Sequence, residues 1–142
     1  VNVELWVPGQ PVPQPRHKVA ARGRFAHAYI PAGHGIHAYR LAVQAAAKAA
    51  GIRPLSGPVE VEIECVFARP KSHLGGRGGV VLKKNAPAWP PKSDWDNLAK
   101  GVCDALTGIA WDDDDQVVDG RCRKRYALPG EAAGTRVVVR SP

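Results

Sequence analysis

The sequence predicts an α/β (α+β) domain, a small mixed β-sheet packed by two main helices in the order β-α-β-α-β-β. Three stretches lead there. Val59, Val61, Ile63, Cys65 and Phe67 alternate with Glu60, Glu62 and Glu64, the two-residue period of a half-buried strand. Ile36, Tyr39, Val43, Ala46 and Ala50 lie at helical spacing in an Ala-rich run that Gly51 closes. Trp95, Leu98, Val102, Ala105 and Leu106 form a second apolar helical face, started by Ser93 or Asp94 and ended by Thr107-Gly108. The 142 residues fit a single domain, 1–142, with one core.

The other elements follow in order. Val1, Val3, Leu5 and Val7 alternate with polar residues or Trp6 up to Pro8-Gly9, a first strand. Residues 10–34 carry Pro11, Pro13 and Pro15 and the bases Arg16, Lys18, Arg22 and Arg24, without an acid. They read as a loop or extended arm whose basic face contacts DNA; a solvated linker is the competing reading. Residues 69–92 are again basic and Gly-rich, too long for an ordinary connector. They are expected to form a mobile arm that orders on the substrate, with Lys83, Lys84 and Lys92 on DNA. Trp89 there either stacks on a base or covers core. Val118, Gly120, Cys122 and Tyr126 alternate with Asp119, Arg121, Arg123 and Arg125 in a third strand. Its basic face either binds DNA or pairs with Glu60, Glu62 and Glu64, and pairing is preferred. Those glutamates are read as sheet partners rather than metal ligands. Thr135 to Arg140 follows the Pro129-Gly130 turn as the last strand.

Charge narrows the function. Lys and Arg number 20 against 13 acids, for a net charge of +7 and a pI near 9.7, which points to an anionic partner, with nucleic acid the commonest. Eight of the 13 acids fall between Asp94 and Asp119. A basic protein that gathers its acids in one place suits a nuclease: basic surface holds phosphates, and carboxylates hold a metal. Hydrophobic residues make up 44%, which excludes global disorder. No apolar run approaches the roughly 20 residues of a membrane span. No signal peptide is visible from Val1, which is not an initiator Met, so the natural start is expected to lie upstream. Cys65, Cys103 and Cys122 form no CxxC pair. They read as core thiols of a cytoplasmic protein and argue against zinc.

The candidate chemistry lies in Asp94-Trp95-Asp96-Asn97-Leu98-Ala99-Lys100 and the run Asp112 to Asp115. Two carboxylates spaced by two converge only if the first lies outside the helix, as Asp94 would at the cap. Taken alone, Asp94 could be a cap and Asp96 a complement to the helix dipole. Lys100, four residues after Asp96 and four before Asp104, shares their face, and Asp104 is expected to pair with it. Four consecutive aspartates brought near Asp94 and Asp96 would need a cation. Hard oxygen donors without imidazole or thiol point to magnesium or manganese. Lys100 would stabilise charge on the phosphate or position the nucleophile. His34 and His37 read as surface at a helix start rather than a metal pair.

The pattern Asp94-x-Asp96-Asn97-Leu98-x-Lys100, Asp104-Ala105-Leu106, then Trp111-x-Asp113-Asp114-x-Gln116-Val117-Val118 closely resembles the RusA family of Holliday-junction resolvases, common in phages and prophages. Pro11-x-Pro13-x-Pro15-Arg16 is similar too, and the resemblance covers most of the chain. It implies a RusA-like fold and a magnesium-dependent homodimer that makes paired cuts across a four-way junction in DNA recombination and repair. The catalytic residues it implies are Asp94, Asp96, Lys100 and Asp114, with Asp113 as a further metal ligand beside Asp94, Asp96 and Asp114. Asp112 and Asp115 occupy positions that the pattern leaves open and are read as acids that support the ligands from behind or lie on the surface. The insert from Gly75 to Lys92 has no transferable role. A two-fold dimer would present one site to each of two symmetry-related strands. The alternatives are a less selective flap or fork nuclease and a non-catalytic DNA-binding module.

Overall fold

Strand β4 (Val59–Phe67) is central because its inward residues Val59, Val61, Ile63, Cys65 and Phe67 are all buried. In this computed structural model, which describes residues 2–142 except for the side chain of Arg22, β4 lies between two neighbours. Strand β7 (Val117–Tyr126) runs parallel to it and β8 (Gly134–Arg140) antiparallel. Strand β1 (Asn2–Pro8) pairs antiparallel with β8, giving the order β1-β8-β4-β7. Val1, read as part of the first strand, lies outside the described residues. A parallel pair needs a crossover, and α2 (Trp95–Leu106) lies in it. Helix α1 (Gly35–Ala49) joins β1 to β4. The predicted element order holds for these six, with both helices over one sheet face. No helix among the described residues is long and apolar enough to cross a membrane.

The helices turn slightly from their predicted faces. In α1, Ala47 is buried in place of Ala50, and the His34 ring accepts a hydrogen bond from the Ile36 amide (3.0 Å), capping the start. In α2, Gly101 joins the buried face while Trp95 stays half exposed. A Cβ on Gly101 would stand 3.5 Å from both the Gln14 amide nitrogen and the Val12 carbonyl oxygen. The small residue thus lets the Pro-rich segment cross the helix closely, and Gln14 N–H donates to the Asn97 carbonyl (2.9 Å).

The opposite sheet face carries charge pairs. Glu64 meets Arg125 (3.3 Å) and Arg123 (3.7 Å), and Glu62 meets Arg140 (3.2 Å) and Arg136 (3.9 Å). The pairing reading of the acidic and basic strands therefore holds for Glu64 with Arg123 and Arg125; Glu62 pairs with β8 instead, Arg121 lies nearest Asp119 (3.8 Å), and Glu60 forms no ion pair among the described residues. Each exposed pair contributes a few tenths of a kcal/mol. A bulge between Val59 and Glu60 shifts the β4–β7 register, so Val117 packs on the core and Val118 is exposed, not inward as the alternation suggested.

Gly134 is fixed by sterics: a Cβ there would lie 2.1 Å from the Trp6 ring. Gly134→Ala is expected to cost about 1–3 kcal/mol, read as a lower urea midpoint. Recovery of the midpoint on adding Trp6→Leu would identify the ring as the cause; no recovery would assign the loss to the backbone.

The segments read as a loop or extended arm and as a mobile arm both contain hairpins. Strands β2 (Lys18–Arg22) and β3 (Phe25–Tyr29) pair around Gly23, whose φ is +60°, as a two-residue loop led by Gly allows. In the 69–92 segment, β5 (Leu74–Gly75) pairs with β6 (Val81–Leu82). Its base is held by Arg69, which stacks 4.4 Å from the Tyr126 ring centroid and donates to the Pro87 carbonyl (2.6 Å).

Candidate active site

Asp94 occupies the N-cap position of α2, yet its carboxylate makes no cap bond to the helix backbone. Instead Asp94 Oδ2 accepts from Asn97 Nδ2 (3.3 Å), while Asp96 Oδ1 accepts from the Asn97 amide (3.0 Å). Asn97 therefore ties the two carboxylates together at the positive end of the helix, where anions are favoured. Asp94 and Asp96 are exposed, and their other oxygens have no partner among the described residues. The turn before them is unusual: Ser93 has φ +73°, the one non-glycine left-handed residue among those described. Lys124 on β7 donates to the Ser93 carbonyl (2.9 Å) and the Lys92 carbonyl (3.4 Å), holding that turn in place.

Asp114 is held differently. Its Oδ1 accepts from Thr107 Oγ1 (2.5 Å) and from the indole N–H of Trp111 (3.2 Å). Thr107 Oγ1 also lies 2.9 Å from the Cys103 carbonyl. A hydroxyl has one proton to donate, and the shorter contact to a charged acceptor is the stronger. Trp111 is fully buried, so it anchors Asp114 to the core. Asp114 Oδ2 has no partner among the described residues. One oxygen fixed and the other free is the disposition of a ligand oriented by its outer shell. The Cys103 thiol is pushed up to about 12, first by burial and then by the Asp114 and Asp104 carboxylates, which leaves it a neutral packing group.

The neighbours of Asp114 have other tasks. Asp113 caps the short turn Asp114–Gln116 through the Asp115 amide (3.1 Å), and the Gln116 side chain accepts from the Asp112 and Asp113 amides. Gln116 also donates to the Leu55 (2.7 Å) and Gly57 (2.9 Å) carbonyls, clamping the acidic run to the chain before β4. Asp112 and Asp115 are exposed.

The expected partner of Lys100 is not Asp104. Asp104 pairs with Arg40 of α1 (3.1 Å), which also donates to the buried Gln14 (2.7 Å). Packing of α1 on α2 places a guanidinium there, and a bond joining three segments displaces a flexible local pair. Lys100 is exposed and has no partner among the described residues.

The predicted residues are arrayed along α2 and do not cluster. Asp96, Lys100, Cys103 and Thr107 recur at the spacing of a single helical stripe. Asp94 stands at one end, and Asp114 is bonded to Thr107 at the other. At 1.5 Å per residue, the 12-residue helix separates these ends by about 18 Å. Magnesium holds oxygens at about 2.0–2.1 Å, so the oxygens on one ion lie within about 4.2 Å of one another. The donor type fits a hard divalent cation, but one chain splits the donors into two halves. Among the described residues, no three His, Cys, Asp or Glu side chains are placed to hold one ion.

Arg16, Lys18 and Arg24 are exposed in or beside the β2–β3 hairpin, and Lys83, Lys84 and Lys92 are exposed in the other arm. None forms an ion pair among the described residues. The Arg22 side chain lies outside the described residues.

Comparison with known proteins identifies the family. The chain is 30% identical over 129 residues to the uncharacterized protein YqaN of Bacillus subtilis (strain 168), covering 88% of each sequence. The family model described as endodeoxyribonuclease RusA matches residues 8–140. That span takes in the Asn97-tied carboxylates, Lys100 and the Trp111-anchored Asp114, and the chain belongs to the RusA endodeoxyribonuclease family.

Proposed function

We propose that this endonuclease cuts branched DNA, with the four-way junction as its substrate, and that it acts as a magnesium-dependent homodimer in recombination and repair. The carrying observation is Asp114, held through one oxygen by Thr107 and Trp111 with the other free. A second supports the dimer: the carboxylates occupy opposite ends of one stripe on α2. A second copy related by a two-fold axis, with its α2 antiparallel to the first, would set Asp94 and Asp96 of one protomer against Asp114 of the other. Lys100, midway and unpaired, would then face the phosphate as a fixed positive charge. Magnesium, or manganese, held by these carboxylates would supply Lewis-acid polarisation of the phosphate and a more acidic water. Asp113 would contribute through whichever oxygen its turn leaves free. Three free cysteines fit a reducing cytoplasm, bacterial or phage-infected.

The test is cleavage of a synthetic four-way junction with magnesium, with products mapped on all four strands. Symmetric paired cuts are expected. Equal affinity for the junction and for linear duplex of equal length, over a range of salt, would reject junction selectivity. Flaps or forks cut in preference to the junction would favour a broader branched-DNA nuclease.

The two arms carry the electrostatic half. Neutralising Lys83 and Lys84 together is expected to reduce the slope of log affinity against log salt by up to about 2. An unchanged slope would remove them from the interface. Thr107→Val keeps the side-chain shape and removes the hydroxyl that holds Asp114. Cleavage is expected to fall about 10-fold or more, as for loss of an outer-shell partner, with an unchanged melting temperature.

A further inference from the structure

Beside the arm's base lies an open cleft of about 470 Å³, lined among others by Trp89, Arg69, Arg123, Arg125, Tyr126 and Glu64, within the size range of small-ligand sites. Trp89 is 62% exposed and makes no hydrogen bond or ring contact among the described residues. Leaving so large an apolar face in water is costly. Its neighbours Pro87, Pro90 and Pro91 restrict the backbone on both sides, so the indole is displayed on a stiffened strap.

The polar side of the cleft is prepared for an anion. Arg125 is committed to Glu64 and to Glu131 (2.5 Å), and it holds the Glu131 carboxyl down to about 2. Arg123 is 64% exposed and meets Glu64 only at 3.7 Å. Arg69 is immobilised on the Tyr126 ring and the Pro87 carbonyl. Arg123, and the Arg69 N–H groups other than those on Nη1, thus remain to meet an anion beside an unpaired aromatic face, the pairing that recognises a phosphate and its base. The cleft is tied to the candidate active site twice: Trp89 precedes Asp94 by five residues, at most about 18 Å of extended chain, and Lys124, between Arg123 and Arg125 on β7, bonds the Ser93 carbonyl.

We infer that the Trp89–Arg123 cleft is a single-strand subsite: it takes one unpaired nucleotide of the DNA, stacking its base on Trp89 and holding its phosphate with Arg123 and Arg69. The inference rests on the branched-DNA reading, because a branch point is where unpaired nucleotides arise near the cut.

The probe is a fluorescein-labelled oligothymidylate, with binding followed by anisotropy in EDTA and by tryptophan quenching on the unlabelled strand. Trp89→Ala is expected to weaken binding about 10-fold and abolish most of the quench. Trp89→Phe should retain most of the affinity and lose the quench. Arg123→Ala should lower the salt slope by about 1. Wild-type affinity in Trp89→Ala would overturn the inference, as would a change in oligomeric state by sedimentation, which would make Trp89 an interface residue. Cleavage of the junction by the wild-type protein, measured alongside with magnesium, separates the two readings. Cleavage with an indifferent Trp89 rejects only the cleft. Absent cleavage with a Trp89-dependent oligonucleotide complex rejects only the junction nuclease.

Discussion

Asp114→Asn is expected to reduce junction cleavage by about three orders of magnitude and leave junction binding intact. The substitution keeps the side chain's size, and its amide oxygen still accepts from Thr107 and Trp111, as Asp114 Oδ1 does, so the local turn has no reason to move. What changes is the free position, where a charged oxygen becomes a neutral group that binds a hard cation poorly. Several kcal/mol of transition-state stabilisation depend on such a centre, and each 1.36 kcal/mol is tenfold in rate. Binding is expected to rest instead on exposed bases in the two arms, and removing a negative charge does not weaken attraction to phosphates. Undiminished cutting would remove Asp114 from the mechanism. Loss of binding together with cutting would make it a structural residue.

Asp113→Asn separates the two neighbouring acids. An asparagine side chain can still cap the Asp114–Gln116 turn, so the variant should fold. A much smaller loss than in Asp114→Asn is expected, because Asp113 serves the turn as its cap, whereas Asp114 is oriented by the buried Trp111 and by Thr107.

The parts of the fold legible in sequence are those where one face is buried. β4 shows it best: five inward apolar residues alternate with three glutamates, and two of these, Glu62 and Glu64, meet arginines. The β2–β3 hairpin was not legible because β3 is exposed along its whole length, so its composition carries no inside-outside period. Gly23-Arg24 was the available signal, a Gly-led pair between runs of equal length. The bulge at Val59/Glu60 was hidden for another reason. Val117 and Val118 are both apolar, and only the partner strand decides which faces inward.

The candidate residues were legible as a set, but their geometry was not. Asn97 reads locally as an ordinary first-turn residue, yet it bonds both neighbouring carboxylates. Thr107 reads as a helix stop and Trp111 only as a pattern residue before the acidic run, and both hold Asp114. Lys124 falls on the apolar side of the third strand's alternation and carries no signal of its own, yet it fixes the Ser93 turn. Each works across a distance in sequence that periodicity does not register. The Lys100–Asp104 spacing was misleading because the four-residue rule describes an isolated helix, and α1 delivers Arg40 to the same carboxylate.

The separation of the carboxylates leads to a prediction with an all-or-none outcome. Asp96→Asn and Asp114→Asn are each expected to be inactive as homodimers. If the donors meet across a two-fold axis, one site of a mixed dimer combines both substitutions and the other combines neither. Mixing the two dead proteins through a denaturing and refolding step should therefore restore activity. Random pairing makes half the dimers mixed, each with one intact site of two, so about one-quarter of the wild-type sites return. The restored product should be a nicked junction rather than a paired cut, because only one strand meets a complete site. A protein with all its donors in one chain would give no recovery, since every protomer in the mixture carries a lesion. The roughly 18 Å length of α2 and the unpaired Lys100 on the stripe between its ends favour recovery, and its absence would require a large movement of the acidic run toward the helix N-terminus.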